Sequence, residues 1–148
     1  RQMEKIYMAV VCGKPVDNNG TYVDYLKQDK KNNCSRIVDK SDPESKRAEL
    51  EYKVLDCIQT EEKDPQYLSL VEIKLLTGRH HQIRVQFSGH GTPLYGDGKY
   101  GNNEKAVRKS LALCACHLKF KHPATGKIMD FQIKPDTGAF KLFSKSIS

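Results

Sequence analysis

The sequence predicts an α+β fold with a mixed, mostly antiparallel sheet and few short helices. Residues 5–12 alternate two sets of apolar side chains, which is typical of a strand. Residues 48–58 alternate apolar with mostly charged side chains, and a polar turn joins them to a second strand at 67–76, which favours a hairpin. Segments 111–120 and 127–133 repeat this pattern across the turn His-Pro-Ala-Thr-Gly.

The two most regular segments also predict which side chains share a face. In residues 5–12, the side chains of Ile6, Met8 and Val10 share one face of the strand. Those of Tyr7, Ala9 and Val11 take the other face. In residues 48–58, one buried face is predicted from the alternating positions Ala48, Leu50, Tyr52, Val54, Asp56 and Ile58.

The remaining segments carry weaker signals. Residues 13–20 predict a loop that closes on Asp-Asn-Asn-Gly, and residues 36–39 predict a brief strand. Residues 22–33 are short and polar and predict no definite element. Residues 80–88 have helical spacing, and residues 139–147 predict a short helix near the end of the chain. We find no internal repeat and no low-complexity segment.

Composition indicates one globular domain in a reducing compartment. The 148 residues suffice for one domain with a core, and 38% apolar with 29% charged residues excludes a disordered tail. No apolar run approaches the roughly 20 residues of a membrane helix, and no signal peptide is evident. The cysteines are odd in number, which favours free thiols and a cytoplasmic location. They are Cys12, Cys34, Cys57, Cys114 and Cys116.

The charge is positive and unevenly distributed. The net charge is +7, and residues 41–72 hold nine acids against four bases, whereas residues 74–121 hold nine bases against two acids. Such a gradient predicts a face that meets a polyanion, and nucleic acid is the commonest one in a cytoplasm. A general solubilising surface is the alternative. One functional hypothesis is therefore a non-catalytic RNA-binding module that uses a basic face from Lys74 to Lys121.

The start of the predicted helix at residues 80–88 carries an unusual concentration of cations. Ile83 and Phe87 occupy positions i and i+4 of one helical face, and His80 and Arg84 share another. We expect Gly89 and Gly91 to end this helix. A helix N-terminus carries a partial positive charge, so adjacent bases there favour a facing anion, either a phosphate or a carboxylate. Solvated side chains with a small energetic cost are the alternative.

Two local patterns resemble ligand-binding motifs, but the residues around each of them argue against a ligand site. Residues 96–101 match G-x-G-x-x-G, but no buried strand precedes them and no acid follows about 20 residues later, which argues against a dinucleotide site. The glycines more simply allow a tight turn and close backbone approach. Cys114, Cys116, His117 and His122 lack zinc-ligand spacing. We therefore expect no metal and no cofactor, although a metal-binding interaction domain is a third, weaker hypothesis.

Four motifs in order resemble the RluA-type family of RNA pseudouridine synthases. Residues 76–85 read LTGRHHQIRV, where that family has T-G-R-(T/H)-H-Q-I-R, and residues 91–101 read GTPLYGDGKYG, where it has G-x-P-(L/I)-x-G-D-x-x-Y-G. Residues 5–13 resemble the family strand K-x-Y-x-A-x-V-x-G. Residues 111–123 resemble L-A-L-H-A-x-x-L-x-F-x-H-P, with Cys114 at the position of the histidine. The resemblance covers nearly the whole chain.

The resemblance implies a reaction without a cofactor on a flipped uridine in ribosomal or transfer RNA. In that family an aspartate attacks the uridine, the glycosidic bond to N1 breaks, the uracil turns, and C5 rejoins the sugar. By resemblance, Tyr7 stacks on the uracil and helps to remove the C5 proton, Arg84 pairs with the catalytic aspartate, and Leu113 is an apolar wall. The RNA-binding residues expected are Arg79, His80, His81, Gln82 and Lys99.

The family's catalytic aspartate lies in an R-L-D segment before the K-x-Y strand, and this chain contains no R-L-D. Asp97 belongs to the glycine loop and Asp56 to another strand, so neither is expected to replace it. We therefore expect residues 1–148 to be the C-terminal portion of a catalytic domain, with Arg1 internal to a longer protein and the chain alone inactive. Unpaired sheet edges would then favour self-association of the fragment.

Overall fold

A computed structural model of the chain describes residues 3–101 and 110–147. Seven strands form a single sheet in the order β3-β2-β4-β5-β1-β6-β7. The strands are β1 Met3–Cys12, β2 Asn19–Asp29, β3 Cys34–Val38, β4 Lys46–Gln59, β5 Tyr67–Leu75, β6 Leu113–Lys121 and β7 Ile128–Gln132. The helical segments are α1 Gln82–Gly89, a 3-10 helix Gly138–Phe143 and α2 Ser144–Ile147.

Each strand pair that the structure describes is antiparallel, and helices cover both faces of the sheet. This confirms the α+β class and both predicted hairpins, β4–β5 and β6–β7. The first strand lies inside the sheet between β5 and β6, and Ala9, Val10 and Val11 are fully buried because helical segments cover both of its faces there. Val10 packs into one core cluster, and Ala9 and Val11 pack into the other, as the alternation predicted.

One core cluster lies between the sheet and α1. Ile83 and Phe87 of α1 pack on Val71 and Ile73 of β5, so the predicted apolar stripe faces the sheet. The helix begins at Gln82 rather than His80, because His81 has a left-handed backbone with φ of 54°. It ends at Gly89, and the chain reverses at Gly91, where φ is +89°.

Gly89 has a packing role that differs from the predicted one. It lies within the last turn of α1, and a Cβ atom there would stand 2.3 Å from Cδ1 of Ile37. The absence of a side chain therefore allows the helix to lie close to the edge strand β3.

The second core cluster lies on the opposite face of the sheet. Phe140 and Phe143 of the 3-10 helix pack against Val10, Leu68 and Leu70. The predicted helix near the end of the chain is therefore present, as a 3-10 turn followed by the short α2. Neither α1 nor the helical segments at 138–147, among the residues described, is long and apolar enough to cross a membrane.

Two strands differ from their predictions. Residues 22–33 predicted no definite element, yet β2 runs from Asn19 to Asp29 and pairs with both β3 and β4. Its polar and apolar residues do not alternate between the two faces, because Asp24 faces α1 with Tyr22 and Leu26 while Val23 is exposed, and the strand signal is therefore weak. In β4 a register shift between Val54 and Asp56 interrupts the alternation. Leu55 consequently packs on the second cluster, so the single buried face predicted for residues 48–58 ends at the shift.

Candidate functional site

Tyr7 and Leu113 share a face of the sheet. Leu113 is the cross-strand partner of Ala9, and Tyr7 is two residues from Ala9, so all three side chains point the same way. Both Tyr7 and Leu113 are partly buried against the cluster that α1 covers. Two of the three predicted catalytic side chains therefore lie on the face of the sheet that α1 covers. The third, Arg84, is a residue of α1 itself.

Gln82 shapes the turn that leads into α1. Its side chain is 3% exposed, and its Oε1 atom accepts hydrogen bonds from the Thr77 hydroxyl at 2.8 Å and the Arg79 amide at 2.9 Å. Its amide nitrogen donates to the Glu49 carbonyl at 3.1 Å. Gln82, which the sequence predicted as an RNA contact, is instead used inside the protein, where it fixes the conformation of the Thr-Gly-Arg turn.

Arg84 makes a bidentate ion pair with Asp97 of the glycine loop. Its Nε donates to Oδ2 at 3.1 Å and its Nη2 donates to Oδ1 at 2.9 Å. Oδ1 also accepts the backbone amides of Lys99 and Tyr100, so the carboxylate, which is 1% exposed, organises the loop as well. The sequence did not predict this contact. It sets the direction of the Arg84 guanidinium and leaves its Nη1 amino group outside the pair.

The ionisation of both partners follows from this geometry. Burial acts to raise the pKa of Asp97, but the Arg84 hydrogen bonds and the Tyr100 amide outweigh it, and the pKa lies below its usual value of 3.8. The hydrogen bond to Asp97 raises the pKa of Arg84 above its usual value. The pair is therefore ionised at neutral pH, and a fixed cation is held at the edge of the core.

Tyr100 joins Arg84 to the start of α1. The Arg84 guanidinium lies 5.0 Å from the centre of the Tyr100 ring, a cation–π distance. The Tyr100 hydroxyl lies 2.6 Å from Nδ1 of His81 and accepts the Ser35 amide at 3.0 Å. Burial, followed by the charges of His80, Arg84 and Lys99, lowers the pKa of His81. His81 is therefore neutral at pH 7, and its Nδ1 accepts the hydrogen bond that the Tyr100 hydroxyl donates.

His80 and Lys99 contact the end of the β2–β3 hairpin. Nδ1 of His80 lies 2.8 Å from the Ser35 hydroxyl, and Nε2 lies 3.1 Å from Oδ1 of Asn33. The His80 and His81 rings stack with centroids 3.8 Å apart. The Lys99 ammonium donates to the Asn33 carbonyl. Three segments remote in sequence thus meet here, and no sequence signal linked Asn33 or Ser35 to the site.

Arg79 lies on the surface next to this cluster. Its Nε donates to the Arg47 carbonyl at 2.9 Å, which ties the turn before α1 to β4. Arg79, His80, His81 and Lys99, four of the predicted RNA-binding residues, are therefore gathered around the start of α1. Gln82 is the fifth and lies beneath them.

The glycines of the loop permit close backbone approach, as predicted. At Gly96, where φ is +82°, a Cβ atom would lie 2.2 Å from the Ser110 carbonyl oxygen. At Gly101 it would lie 2.5 Å from the Asp97 carbonyl oxygen. No helix begins in residues 96–101, in contrast to a dinucleotide fingerprint. The loop borders a cavity of about 420 Å³ that Gly13 and Tyr67 also line, whereas Tyr7, Arg84 and Leu113 do not.

The cysteine and histidine residues of β6 have other partners. His117 pairs with Asp130 at 2.8 Å, and Nδ1 of His122 accepts amides of the following turn. Burial raises the pKa of Cys116 to about 11, and all five cysteines are free thiols. In the described parts of the chain, no group of three or more His, Cys, Asp or Glu residues is placed to hold a metal ion.

The basic residues of this stretch that the structure describes do not form one continuous face. Lys119 and Lys121 lie on β6, whereas Lys99 contacts the turn between β2 and β3, which is up to five strands away in the sheet, and Arg79 contacts β4, three strands away. At an inter-strand spacing of about 4.8 Å, five strands correspond to roughly 24 Å. Lys74 is paired with Glu4 at 3.7 Å. Lys105, Arg108 and Lys109 of the same stretch lie outside the described residues.

The family is decided by sequence comparison. The sequence model of the RNA pseudouridylate synthase family matches residues 1–89. The chain belongs to the RluA-type family of RNA pseudouridine synthases. The chain is 37% identical over 126 residues to an uncharacterized RNA pseudouridine synthase of Bacillus subtilis, covering 85% of this chain and 38% of the relative. It is 35% identical over 133 residues to ribosomal large subunit pseudouridine synthase D of Zymomonas mobilis, covering 84% and 39%.

The fold agrees with that of solved synthase domains. Human RNA pseudouridylate synthase domain containing 1 superimposes with a TM-score of 0.76 at 20% identity, over 98% of this chain and 66% of that one. The human domain containing 4 gives 0.71 at 22% identity, over 97% and 60%. The chain spans less than half the length of the two bacterial relatives, 38% and 39%.

Proposed function

We propose that this chain is the C-terminal portion of a synthase catalytic domain, and that the whole protein isomerises uridine to pseudouridine in ribosomal or transfer RNA. The observation that carries the proposal is the arrangement of Arg84. Its guanidinium is held by the buried Asp97 through Nε and Nη2, and Nη1 takes no part in that pair. A second carboxylate supplied from outside the described residues has this amino group available as a charged donor.

The chemistry assigns a role to each predicted side chain. The carboxylate oxygen bonds to C1′ as the bond from C1′ to N1 breaks, and the uracil then turns. C5 bonds to C1′ as the bond from C1′ to the carboxylate breaks, which releases the free carboxylate. The proton on C5 then leaves, and N1 gains one, so that the product is an isomer of the substrate. We assign Tyr7 to stack on the uracil and assist the proton removal, Leu113 to form an apolar wall, and Arg84 to keep the nucleophile ionised.

The two aspartates considered as replacements for the nucleophile are engaged elsewhere. The Asp97 carboxylate is buried and accepts bonds from Arg84 and two amides. The Asp56 carboxylate accepts bonds from the Ser146 hydroxyl at 2.7 Å and the Cys57 amide at 2.8 Å. These contacts support the proposal that residues 1–148 alone do not turn over uridine.

For RNA contacts we assign Arg79, His80, His81 and Lys99, with Gln82 acting indirectly through the turn that it holds. Their clustering at the start of α1 supports this assignment. A cytoplasmic location accords with five free thiols. The competing function is a non-catalytic RNA-binding module that uses the basic residues from Lys74 to Lys121 and needs no nucleophile.

The deciding experiment is tritium release from RNA labelled at uridine C5. We expect no release from residues 1–148 and release from the same chain with its native upstream segment restored. In the extended protein, Arg84→Lys should reduce release by roughly 10–100-fold, since lysine cannot reproduce the two-pronged contact. Arg79→Lys is the matched control, and its effect on the chemical step should be small.

Two results contradict the proposal. Turnover by residues 1–148 alone would show that no upstream carboxylate is needed. Retained RNA binding with no release from the extended protein, on ribosomal and transfer RNA substrates, would favour the binding module. Circular dichroism of each variant establishes that loss of release is not loss of fold.

A further inference from the structure

We propose that the tip of the β2–β3 hairpin binds the phosphodiester backbone of RNA beside the candidate site. We call Lys30, Lys31 and Arg36 the cationic tip. It lies outside the basic stretch of residues 74–121 and was not among the predicted RNA contacts. The inference rests on the proposed function in one respect, which is that RNA is the substrate.

Asp29 closes the turn of the hairpin with its side chain. Oδ1 of Asp29 accepts the amides of Lys31 at 3.1 Å and Asn32 at 3.3 Å, and Oδ2 accepts the Asn32 side-chain amide at 2.7 Å. Asp29 therefore serves as the hydrogen-bond acceptor that closes the turn. Lys30, Lys31 and Arg36 are exposed around it.

The three members of the cationic tip form no ion pair within the described residues 3–101 and 110–147. The Asp29 carboxylate remains charged and interacts electrostatically with Arg36. Three exposed cations against this one acid leave the tip with a net positive charge and a local positive potential. Such a patch favours a ligand that carries several negative charges in a row.

Hydrogen bonds connect the cationic tip to the candidate site. Ser35, which is buried, bonds His80 through its hydroxyl and Tyr100 through its amide. Asn33 bonds His80 through its side chain and Lys99 through its carbonyl. These contacts position the tip next to the cations at the start of α1. The result is one positive surface, from three separate segments, that runs from the hairpin to the Arg84 region.

This continuity identifies the partner. A substrate that places a uridine near Tyr7 and Arg84 extends away from the site as a chain of phosphates. A positive surface joined to that site suits this row of RNA phosphates. An acidic protein partner would not explain why the positive surface leads to the candidate site. Lys121 and Lys127 provide the comparison, because they are equally exposed lysines of a hairpin at the opposite edge of the sheet.

The test compares two double substitutions that each remove two charges. Residues 1–148 carrying Lys30→Gln and Lys31→Gln, or Lys121→Gln and Lys127→Gln, are titrated against a fluorescein-labelled RNA hairpin with a uridine loop. Fluorescence anisotropy at several salt concentrations gives the dissociation constant and its salt dependence. We expect the first variant to bind at least about five-fold more weakly, with a slope of log K against log salt reduced by about two. The second should match the unaltered chain.

Equal or greater weakening by the Lys121 and Lys127 substitutions would overturn the proposal, as would an unchanged salt slope for the Lys30 and Lys31 variant. Lys30→Arg with Lys31→Arg should restore binding, because it restores the charge. If the unaltered chain fails to bind the hairpin RNA, the cationic tip is not an RNA surface. Tritium release by the extended protein decides the proposed function separately, so the two failures are distinguishable.

Discussion

Gly96 occupies a backbone conformation and a space that other residues fill only with strain. Its φ is +82°, and a Cβ atom would meet the backbone oxygen of Ser110 at 2.2 Å, where no flexible side chain can give way. We expect Gly96→Ala to lower the free energy of unfolding by roughly 2–4 kcal/mol. Urea denaturation followed by circular dichroism measures this free energy of unfolding.

Gly78→Ala is the matched control for this substitution. A Cβ atom at Gly78 meets nothing within 4 Å, and its φ is not in the left-handed region. We expect its free energy of unfolding to change by less than about 1 kcal/mol. Similar losses for the two variants would mean that the loop relaxes around Gly96.

His81 should make stability depend on pH. Its pKa in the folded protein lies below the unfolded value of 6.5, so between these values the unfolded chain binds a proton that the folded one does not. The stabilisation is fully present above pH 6.5 and is lost as the pH falls towards the folded pKa. His81→Asn keeps an acceptor for Tyr100 and tolerates the left-handed backbone. We expect the variant to lose less stability than the unaltered chain between about pH 7.5 and about 5.5.

Urea midpoints at those two pH values check this expectation. Parallel pH profiles for the two proteins would show that His81 does not titrate differently on folding. A variant that is much less stable at both values would point instead to a structural role for the imidazole.

At the residue scale, the sequence did not indicate the partners of the side chains that it singled out. Arg84 was singled out by its spacing and by the family motif, and an anion near it was expected. Its partner Asp97 is 13 residues away across a loop, and no local periodicity links the two. Gln82 was assigned to RNA because it stands among cations, yet its amide is buried in the turn. Burial of a polar side chain depends on contacts that a single sequence does not record.

At the scale of elements, prediction succeeded where one face is apolar and failed where the strand is polar. The strands β1, β5 and β6 and the helix α1 carry regular apolar patterns and were located within a few residues. The strand β2 was missed because polar and apolar side chains occur on both of its faces, while its hydrogen bonds come from partners that the sequence does not identify. The shift in β4 was missed because one inserted residue changes the face without changing the composition.

The edge strand β7 leads to a prediction about association. Phe131 and Ile133 are 51% and 62% exposed at this edge. Exposed apolar side chains beside unpaired strand edges promote contacts between copies. We expect residues 1–148 to self-associate at high concentration, and Phe131→Lys to reduce the mean mass measured by light scattering.

Val16→Lys is the control for this effect, because Val16 is an even more exposed apolar residue, at 96%, in a loop away from β7. It should leave the mass unchanged. A monomeric mass for the unaltered chain at high concentration would contradict the expectation.

At the scale of the whole molecule, the sheet order redistributes the charge that the sequence displays as one run. Among the described basic residues of segment 74–121, Lys119 and Lys121 lie on β6 and Lys99 lies by the turn between β2 and β3. The cationic tip, from a segment not counted with them, lies on the side of Lys99. Charge along a chain predicts a polyanion partner in general terms. Its location on the surface follows from topology, which depends on contacts between distant segments.

The position of β1 in the sheet affects how the chain folds during its synthesis. This strand pairs with β5 and β6 and with no strand that lies closer in sequence. From Cys12 to Leu75 the ribosome adds 63 residues, which takes about 3–13 s at ordinary elongation rates. During that interval β1, an apolar strand of the sheet interior, lacks its partner strand β5. Folding of this unit is therefore coupled to the completion of β5, and the growing chain is a natural client for chaperones until then.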